Sequence, residues 1–578
     1  MSQKSKSSKL LKARFENFKG MDSRICCEST QLFPDMENFR VLSDGSLKKR
    51  EGYRTVFSQP NIIRAVWSGH IGDSFNCYLL ISNQVRRLII SDGRVASCGN
   101  INTMTGDAEF FFLRDTLYLK DESAFYKIDD SGVSVVTGYI PLLGKDWDVG
   151  YPGEINESLN LLHRRARITY KVGDAPSAYL PTLYPVESID ALYKNGVLLS
   201  QGTYSFDERF NTINVSDLVS GDRLEAHLTF SEDDTQKKEQ IISFCHCGVF
   251  GGIKANRLFL WGDNSPVIFN SRYVSPENIA ASEAVLANSG ALYFVSGDEF
   301  SVGDGKYPVR AIERHYDRLL IFTSGDAWMA DESVNGTEEF PTLKINTNVG
   351  LVSRRGIALA GNDPITVSKY GIYRWTSDTD ELNECNAYRI SDPVSDMFDK
   401  NFYKRAIAFS NKKHGEIWFA DPEGDGTVWI YDYLKNYWTR FSGITPKSFL
   451  DADGKVGFAT LATVRCFDNE ATYDYENVEK SNSKPIYAKL RSAYLDLGDA
   501  RVKKLTSLTC CADYDSGSMT LNITDDAGKI SAIDLSSKKQ YAHVVKRLKV
   551  PRLRGFNFEL STGAEGRQRI CSIEIEAR

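Results

Sequence analysis

The sequence predicts an all-β fold: a β-propeller of about seven blades with an inserted small β domain and a C-terminal β-sandwich. The first observation is a recurring phrase in which two short apolar runs flank a Gly-containing turn, as in YDRLLIFTSGDAWMAD at 316–331. Such a phrase is typical of a β-hairpin. The second is its recurrence every ~27 to 52 residues, near the length of a four-stranded propeller blade. The third is an aromatic content of 12%, which favours half-buried pleated surfaces.

The composition of the 578 residues excludes several classes of protein. The net charge of −6 gives no overall attraction to nucleic acid. No apolar run approaches the ~18 residues that a membrane-spanning helix needs. The N-terminus is basic but lacks the apolar core of a secretory signal, so we expect synthesis in the cytosol. The 11 cysteines are scattered through a long chain, which favours reduced, buried thiols over a disulfide framework.

Residues 1–55 are predicted to be an N-terminal arm followed by the first strands. Seven Lys or Arg lie between Met1 and Arg24, against Glu16 and Asp22. This charge predicts a solvated tail. The alternative is an arm that docks on an acidic neighbour or on DNA phosphates.

The propeller is predicted to occupy 56–140 and 241–485, because the hairpin phrase lapses between these ranges and then resumes. The two most closely spaced occurrences of the phrase, at Leu292 and Leu319, are expected to share one blade. This leaves about seven blades, with six or eight as alternatives. The clearest blade is 403–441. Its alternating apolar residues are expected to turn one face inward.

Residues 141–240 are predicted to be a β-rich domain inserted into a blade loop, since surface loops tolerate insertions. Asn195-Gly196 within this range is a strong signal for a two-residue hairpin turn. The alternative is one unusually long blade.

Residues 486–578 contain about seven short strand-like runs and are predicted to form a β-sandwich. This segment is locally basic. The basic residues are interpreted either as an assembly surface for an acidic partner or as a solvated strand face. The candidate assembly residues are Arg501, Lys503, Lys504, Lys546, Arg547 and Lys549.

A sequence signature lies in 18–53. Short motifs that are ordinary turns or strands by themselves follow one another there in an unusual order: F-x-G-M-D, P-D-M-x-N-F and D-G-S-L-x-x-R-x-G-Y. The signature residues are Phe18, Gly20, Met21, Asp22, Asn38, Asp44, Gly45, Leu47, Arg50, Gly52 and Tyr53. This order resembles the opening of a tailed-phage virion family, the packaged-DNA stabilisation or tail hub and nozzle proteins found below the portal.

The resemblance implies a structural virion protein that is assembled in the host cytoplasm. It implies a ring of copies, six by resemblance, attached to the portal or adaptor and to other tail proteins. The ring would close the DNA channel, retain the packaged genome and conduct double-stranded DNA at ejection without sequence recognition. It implies no small-molecule substrate.

The sequence contains no recognisable catalytic, cofactor or metal motif, so we expect a protein that is not an enzyme. The acidic turns at 421–426 and 451–454 lack the length of an EF-hand calcium loop. Cys245-His246-Cys247 has no second ligand pair at zinc-site spacing. The alternative function is a carbohydrate-binding or carbohydrate-cleaving propeller, such as a receptor-binding or depolymerase component, which requires paired acids in a cleft.

Overall fold

The computed structural model describes residues 10–26, 29–174, 179–231, 235–251, 256–272, 292–331, 340–376, 386–514, 517–537 and 541–578. Residues 1–9, and with them most of the predicted N-terminal arm, lie outside the described residues. Nearly all of the regular structure is β-strand. The predicted all-β class is therefore confirmed.

Five short strands open the described chain, and they join sheets that are otherwise formed by residues far along the sequence. They are β1 (Leu11–Phe15), β2 (Asp35–Glu37), β3 (Phe39–Val41), β4 (Leu47–Lys49) and β5 (Gly52–Ser58). β1, β3 and β4 belong to a sheet of the C-terminal sandwich, whereas β5 is the outer strand of the last blade. The N-terminal segment thus ties the two ends of the chain together.

Blades 1 and 2 are four-stranded antiparallel sheets that follow directly. Blade 1 consists of β6 (Ile63–Ile71), β7 (Ser74–Ile81), β8 (Gln84–Leu88) and β9 (Val95–Asn100). Blade 2 consists of β10 (Ala108–Leu113), β11 (Thr116–Asp121), β12 (Phe125–Asp129) and β13 (Gly132–Val136). The turn between β10 and β11 is Arg114-Asp115, with φ of 49° and 58°. Positive φ at both positions is the geometry of a type I′ hairpin turn.

The inserted domain lies between blades 2 and 3. Its strands are β14 (Leu142–Asp148), β15 (Arg165–Lys171), β16 (Tyr179–Pro181), β17 (Val186–Lys194), β18 (Val197–Leu198), β19 (Tyr204–Asp207), β20 (Thr212–Val215) and β21 (Arg223–Phe230). They form a five-stranded sheet, β14-β15-β21-β17-β18, and a three-stranded sheet, β16-β20-β19. Lys194 pairs with Val197 across Asn195-Gly196, so the predicted hairpin is confirmed.

Helix α1 (Thr235–Ser243) leads from the inserted domain into blades 3, 4 and 5. Blade 3 consists of β22 (His246–Gly251), β23 (Asn256–Trp261), β24 (Val267–Asn270) and β25 (Phe300–Ser301). Blade 4 consists of β26 (Val309–His315), β27 (Arg318–Thr323), β28 (Ala327–Ala330) and β29 (Thr342–Asn346). Blade 5 consists of β30 (Ile357–Ala360), β31 (Asp363–Ser368), β32 (Gly371–Trp375) and β33 (Ala387–Arg389).

The expectation that Leu292 and Leu319 share a blade is wrong. Leu319 lies in β27 of blade 4, whereas Leu292 precedes the last strand of blade 3. The carbonyl of Leu292 accepts hydrogen bonds from the Tyr139 N–H at 2.9 Å and from the Asn160 amide at 3.0 Å. Residue 292 is therefore bonded to the base of the inserted domain and does not begin a hairpin.

Blades 6 and 7 follow a 3-10 helix (Asp392–Met397) and the short helix α2 (Phe402–Arg405). Blade 6 consists of β34 (Ile407–Asn411), β35 (Glu416–Ala420), β36 (Val428–Asp432) and β37 (Tyr437–Phe441). Both faces of β35 and β36 are buried, because blades 5 and 7 cover the two sides. Blade 7 consists of β38 (Ser448–Asp451), β39 (Val456–Ala459), β40 (Thr463–Asp468) and the N-terminal β5; β41 (Tyr473–Tyr475) and β42 (Ser483–Pro485) extend its sheet.

The C-terminal sandwich contains β43 (Lys489–Arg491), β44 (Lys503–Tyr514), β45 (Met519–Asp525), β46 (Ile530–Asp534), β47 (Tyr541–Leu553), β48 (Phe556–Thr562) and β49 (Gln568–Ala577). One sheet has the order β3-β4-β49-β44-β47, with β1 also paired to β49. The other, β43-β48-β45-β46, continues through β2 into blade 6 as one nine-stranded sheet. The sandwich is therefore fused to the propeller by backbone hydrogen bonds.

The propeller closes on itself. The first strands of neighbouring blades contact one another around the ring, and β38 of blade 7 contacts β6 of blade 1. The one exception is between blades 4 and 5, where β26 contacts the second strand, β31. Seven blades are therefore present in the described residues, as the sequence predicts. These first strands enclose a central channel, and each begins at the same face of the ring, here called the entry face.

Candidate functional sites

The signature residues of 18–53 lie together where the N-terminal segment meets blades 6 and 7 and the sandwich. Phe18 and Met21 are buried beside Phe33 in the core that the sandwich shares with blade 6. The Met21 N–H donates to the Trp438 carbonyl at 2.9 Å. Gly20 has φ +88°, and a Cβ there would lie 2.6 Å from that same carbonyl oxygen. Glycine is required because the backbones approach so closely.

Arg50 is the centre of this junction. Its guanidinium forms a two-pronged ion pair with Asp474, with Nη1–Oδ1 at 2.9 Å and Nη2–Oδ2 at 2.6 Å. The two side chains are 1% and 4% exposed. Arg50 Nε also donates to Asn38 Oδ1 at 2.9 Å, and the Asn38 amide donates to the Tyr487 carbonyl at 2.8 Å. One buried cation thus joins the N-terminal segment to the chain at 474 and, through Asn38, to the start of the sandwich.

Gly52 and Tyr53 hold β5 in place beside blade 7. A Cβ on Gly52 would lie 2.0 Å from the Tyr473 carbonyl oxygen. The Tyr53 hydroxyl donates to Glu476 Oε1 at 2.6 Å, and Arg465 lies over its ring at 5.2 Å. Burial, together with the Asp474 carboxylate, raises the pKa of Tyr53, so the phenol remains protonated.

The other signature residues form turns or fill the core. Gly45 has φ +75° in the turn before β4, and the Ser46 hydroxyl donates to Asp44 Oδ1 at 2.6 Å. Leu47 is fully buried, and Asp22 pairs with Arg24 at 2.7 Å. The signature residues therefore position the N-terminal segment, and each has a structural role.

The channel of the propeller holds the main polar cluster that sequence reasoning missed. The cavity has a volume of about 490 Å³. At the entry face, His246 Nε2 lies 2.8 Å from Asp263 Oδ1, and His246 Nδ1 lies 3.8 Å from Glu109 Oε2. Arg354, which precedes β30 of blade 5, contacts the His246 ring and lies 3.4 Å from Asp107. The cluster joins residues of blades 2, 3 and 5.

Asp107, His246 and Asp263 place one ligand atom each within 4.8 Å of one another, a spacing at which a cation can bind. The guanidinium of Arg354 already provides a positive charge there. Burial raises the pKa of Asp263, but the hydrogen bond to His246 and the nearby Arg354 outweigh this and lower it. The cluster is best described as an ion-pair network across the channel mouth.

Glu313 lies deeper in the same channel. Burial raises its pKa to about 7, although the Arg314 N–H donates to its carboxylate at 3.0 Å. Near neutral pH the side chain is therefore partly protonated.

Cys245 and Cys247 point away from His246, toward blade 2, where Lys120 is fully buried. Lys120 Nζ donates to the Ile242 carbonyl at 2.6 Å. Burial raises the pKa of both thiols, and most strongly that of Cys247. Two protonated thiols on the opposite side of the strand from the imidazole do not form a zinc site with it.

The predicted assembly residues lie along β44 and the edge strand β47. Arg501, Lys504, Arg547 and Lys549 are exposed, and Lys546 is half-buried. Lys503 is 4% exposed, and its ammonium donates to the carbonyls of Asp499 and Arg554. Lys503 therefore braces the strand and is not part of an assembly surface.

Comparisons with known proteins give no family. No family model and no curated protein matches the sequence. Among solved structures, the chain is similar to the AfRom2 CNH domain (7% identity, TM-score 0.35, covering 73% of this chain and 99% of that one). It is also similar to a chain of the mitotic checkpoint complex (10%, 0.33, 71% and 93%) and one from BBS1N in complex with ARL6DN (8%, 0.26, 73% and 99%). TM-scores this low carry no argument about function.

The helices of the described residues are short. None of them is long and apolar enough to cross a membrane.

Proposed function

We propose that this chain is a structural, non-enzymatic protein of a phage tail. In the proposal, copies form a ring, most simply of six, below the portal or adaptor. The ring closes the DNA channel, retains the packaged genome and passes it at ejection. The protein would reside in the virion after assembly in the host cytoplasm and would contact other tail proteins.

The observation that carries the proposal is the signature of 18–53, together with what its residues do. The order of these residues resembles the phage hub and stabilisation family. Arg50, Gly20 and Gly52 each need the particular neighbour that the junction supplies. The signature residues therefore act together at one junction, although each of their motifs is an ordinary turn or strand by itself.

The propeller's own channel cannot be the DNA conduit. Its cavity of about 490 Å³ is crossed at the entry face by the contact between Arg354 and His246. A B-form duplex has a major groove alone about 12 Å wide, so a whole duplex does not fit. Under the proposal, DNA passes through the lumen of the ring, between copies, and the propeller serves as a rigid wall.

Electron microscopy of the purified protein and of the particle that carries it tests the proposal. The expected result is a closed ring of identical copies, located below the portal, with a lumen wide enough for a duplex. A protein that stays monomeric in solution and occupies no ring in the particle would contradict it.

A carbohydrate-binding or carbohydrate-cleaving propeller is the second candidate. The observation in its favour is the group of carboxylates around His246 at the channel mouth, namely Asp107, Glu109 and Asp263. This candidate requires that glycans bind or are cleaved by a monomer, and that His246→Ala abolishes this effect. Glycan arrays and a depolymerase assay on the purified chain separate the two functions.

A further inference from the structure

Two structural parts of this chain carry net charges of opposite sign. Residues 50–485, the propeller with its insert, contain 44 Lys or Arg against 59 Asp or Glu. The N-terminal strands and the sandwich, 11–49 and 486–578, contain 23 against 17. The first half is strongly acidic and the second is basic, although the whole chain is close to neutral. Opposite charges on one molecule favour contact between unlike surfaces of two copies.

The inserted domain and the sandwich lie on opposite sides of the ring of blades. The insert joins blade 2 to blade 3, whereas the sandwich continues the sheet of blade 6. Blades 3, 4 and 5 separate them in one direction, and blades 7, 1 and 2 in the other. The insert and the sandwich are therefore attached to blades well separated around the ring, so each can offer a different surface to a neighbouring copy, as a head-to-tail contact requires.

The basic surface of the sandwich, here called the basic strip, follows the paired strands β44 and β47. Ser507 pairs with Arg547, and Lys503 with Leu553, so residues 501–507 and 547–554 run side by side. Val502 supplies an exposed apolar side chain at one end. The basic strip consists of the exposed residues Arg501, Lys504, Arg547, Lys549, Arg552 and Arg554. Its nearest acids are partly engaged, since Asp499 pairs with Arg501 at 2.6 Å.

The insert carries a matching surface, here called the acidic patch, around Trp147. Tyr151 is 76% exposed, Tyr179 54% and Ile155 52%. Asp148 and Glu154 are exposed among them, and Asp148 is itself partly engaged, because Lys171 Nζ lies 3.5 Å from its Oδ1. Hydrogen bonds hold the group together, because the Gly150 N–H donates to the Tyr179 carbonyl at 2.8 Å and the Trp147 indole donates to the Glu154 carbonyl at 3.0 Å. Exposed tyrosines beside charges are typical of the energetic centre of a protein interface.

We propose that the acidic patch of one copy binds the basic strip of the next copy, and that this head-to-tail contact builds the ring. The inference rests on the ring-forming function proposed above and names its interface. A two-fold contact centred on either surface would place like charges together, basic strip on basic strip or acidic patch on acidic patch, and is disfavoured. A head-to-tail contact uses each surface once per copy and closes when the rotation between copies divides a full turn.

The test measures the assembly state of the full-length protein by native mass spectrometry and light scattering, at low and high salt. Asp148→Lys with Glu154→Lys, and separately Arg547→Glu with Lys549→Glu, should each weaken assembly by about tenfold or more. A chain that carries all four changes should assemble again, because the charges are exchanged. Tyr151→Ala should also weaken assembly by about tenfold, with little dependence on salt.

Matched controls lie in the same two units but outside the proposed contact. Glu208→Lys in the turn after β19, and Lys529→Glu in the turn after β45, each reverse one charge of the same sign at an exposed position, so each changes the net charge by half as much as the corresponding double variant. Both variants should assemble as the unmodified protein does. Circular dichroism and thermal melting establish that every variant is folded.

The possible outcomes separate the interface from the function. Rings that form equally well in the patch and strip variants would overturn this contact and leave the ring function standing. A protein that forms no ring in solution or in the particle would overturn both. If the strip variants lose binding to a DNA duplex while the ring is intact, the basic strip is a DNA surface and the contact is wrong.

Discussion

The inserted domain and the C-terminal sandwich are both β additions to the propeller, yet they are attached in different ways. The insert has a hydrophobic core composed entirely of its own residues, from Leu143 to Phe230. The sandwich shares one continuous core with the N-terminal strands and blades 5 and 6, and one of its sheets extends blade 6. The insert contacts the propeller only at its base, whereas the interior of the sandwich is continuous with the core of the propeller.

This difference indicates which unit can move or unfold separately. A unit with its own core opens locally without exposing the core of its neighbour. A unit that shares a sheet and a core unfolds together with its neighbour. We therefore expect the insert to be a separate cooperative unit, and the sandwich and propeller to be one.

The largest expected effect is at the buried ion pair of the junction. Arg50→Met leaves the Asp474 carboxylate buried without its partner, which typically costs about 3–5 kcal/mol. Because the pair ties the N-terminal segment to the chain at 474, the main unfolding transition should shift. Denaturant unfolding followed by Trp fluorescence measures this. A change below about 1 kcal/mol would mean that the junction is not a single cooperative unit with the propeller.

A matched pair of core substitutions tests the comparison directly. Leu560 in β48 and Leu228 in β21 are both fully buried, so replacing either by Ala should cost about 2–5 kcal/mol. Leu560→Ala should lower the temperature of the main unfolding transition, whereas Leu228→Ala should lower the temperature of a separate transition of the insert. Calorimetry with limited proteolysis distinguishes them, since cleavage within 142–230 should increase in Leu228→Ala alone. A single shared transition in both variants would contradict two independent units.

A smaller effect, dependent on pH, is expected at the base of the insert. Burial lowers the pKa of His163 to about 4, and its Nδ1 accepts the Arg165 N–H at 3.1 Å while Nε2 lies 3.3 Å from the Gly138 carbonyl. In the unfolded chain this histidine binds a proton below about pH 6.5, whereas in the fold it stays neutral to about pH 4. The contribution of His163 to the free energy of unfolding is therefore fully present above about pH 6.5 and is lost as the pH drops toward 4.

By pH 5 the loss should reach about 2 kcal/mol. His163→Gln removes the titrating group, so the variant should lose less stability than the unmodified protein between pH 7 and pH 5. Chemical unfolding at both pH values measures the difference. Equal pH dependence in the two proteins would show that His163 does not titrate as described.

The smallest effect is expected at an exposed ion pair of the sandwich. Lys12 and Glu574 lie 2.6 Å apart, but the lysine side chain is 45% exposed. Such pairs contribute about 0.2–1 kcal/mol, so Lys12→Met should change the main transition by no more than that. Comparison with Arg50→Met isolates burial as the cause, because both pairs join the N-terminal segment to the rest of the chain. A loss as large as that of Arg50→Met would contradict this explanation.

The sequence predicts the repeat well because its signals are local. Asn195-Gly196 specifies its hairpin through two neighbouring residues, and the blade at 403–441 contains all four of its strands. The apolar run at Leu292 predicts a strand wrongly, because the carbonyl of Leu292 accepts hydrogen bonds from Tyr139 and Asn160, which lie over a hundred residues earlier. No local pattern records such a partner.

The candidate sites also depend on contacts between residues that are far apart in the sequence. The signature residues were identified by their order, but their purpose depends on distant partners, such as Asp474 for Arg50. The network of Arg354, His246 and Asp107 joins three blades and has no sequence motif. Lys503 resembles its exposed neighbours in sequence, and the alternation of β44 alone buries it.

Blade 7 combines strands from the two ends of the chain, so it can form only late in synthesis. Its outer strand, β5, leaves the ribosome early, but the strand that it pairs with, β40, ends at Asp468, roughly 400 residues later. At bacterial or eukaryotic synthesis rates this is a wait of roughly 20 to 80 s. During that time β5 presents an unpaired edge next to other nascent chains. We therefore expect that a chaperone that shields this strand until the last blade is made would increase the yield of folded protein.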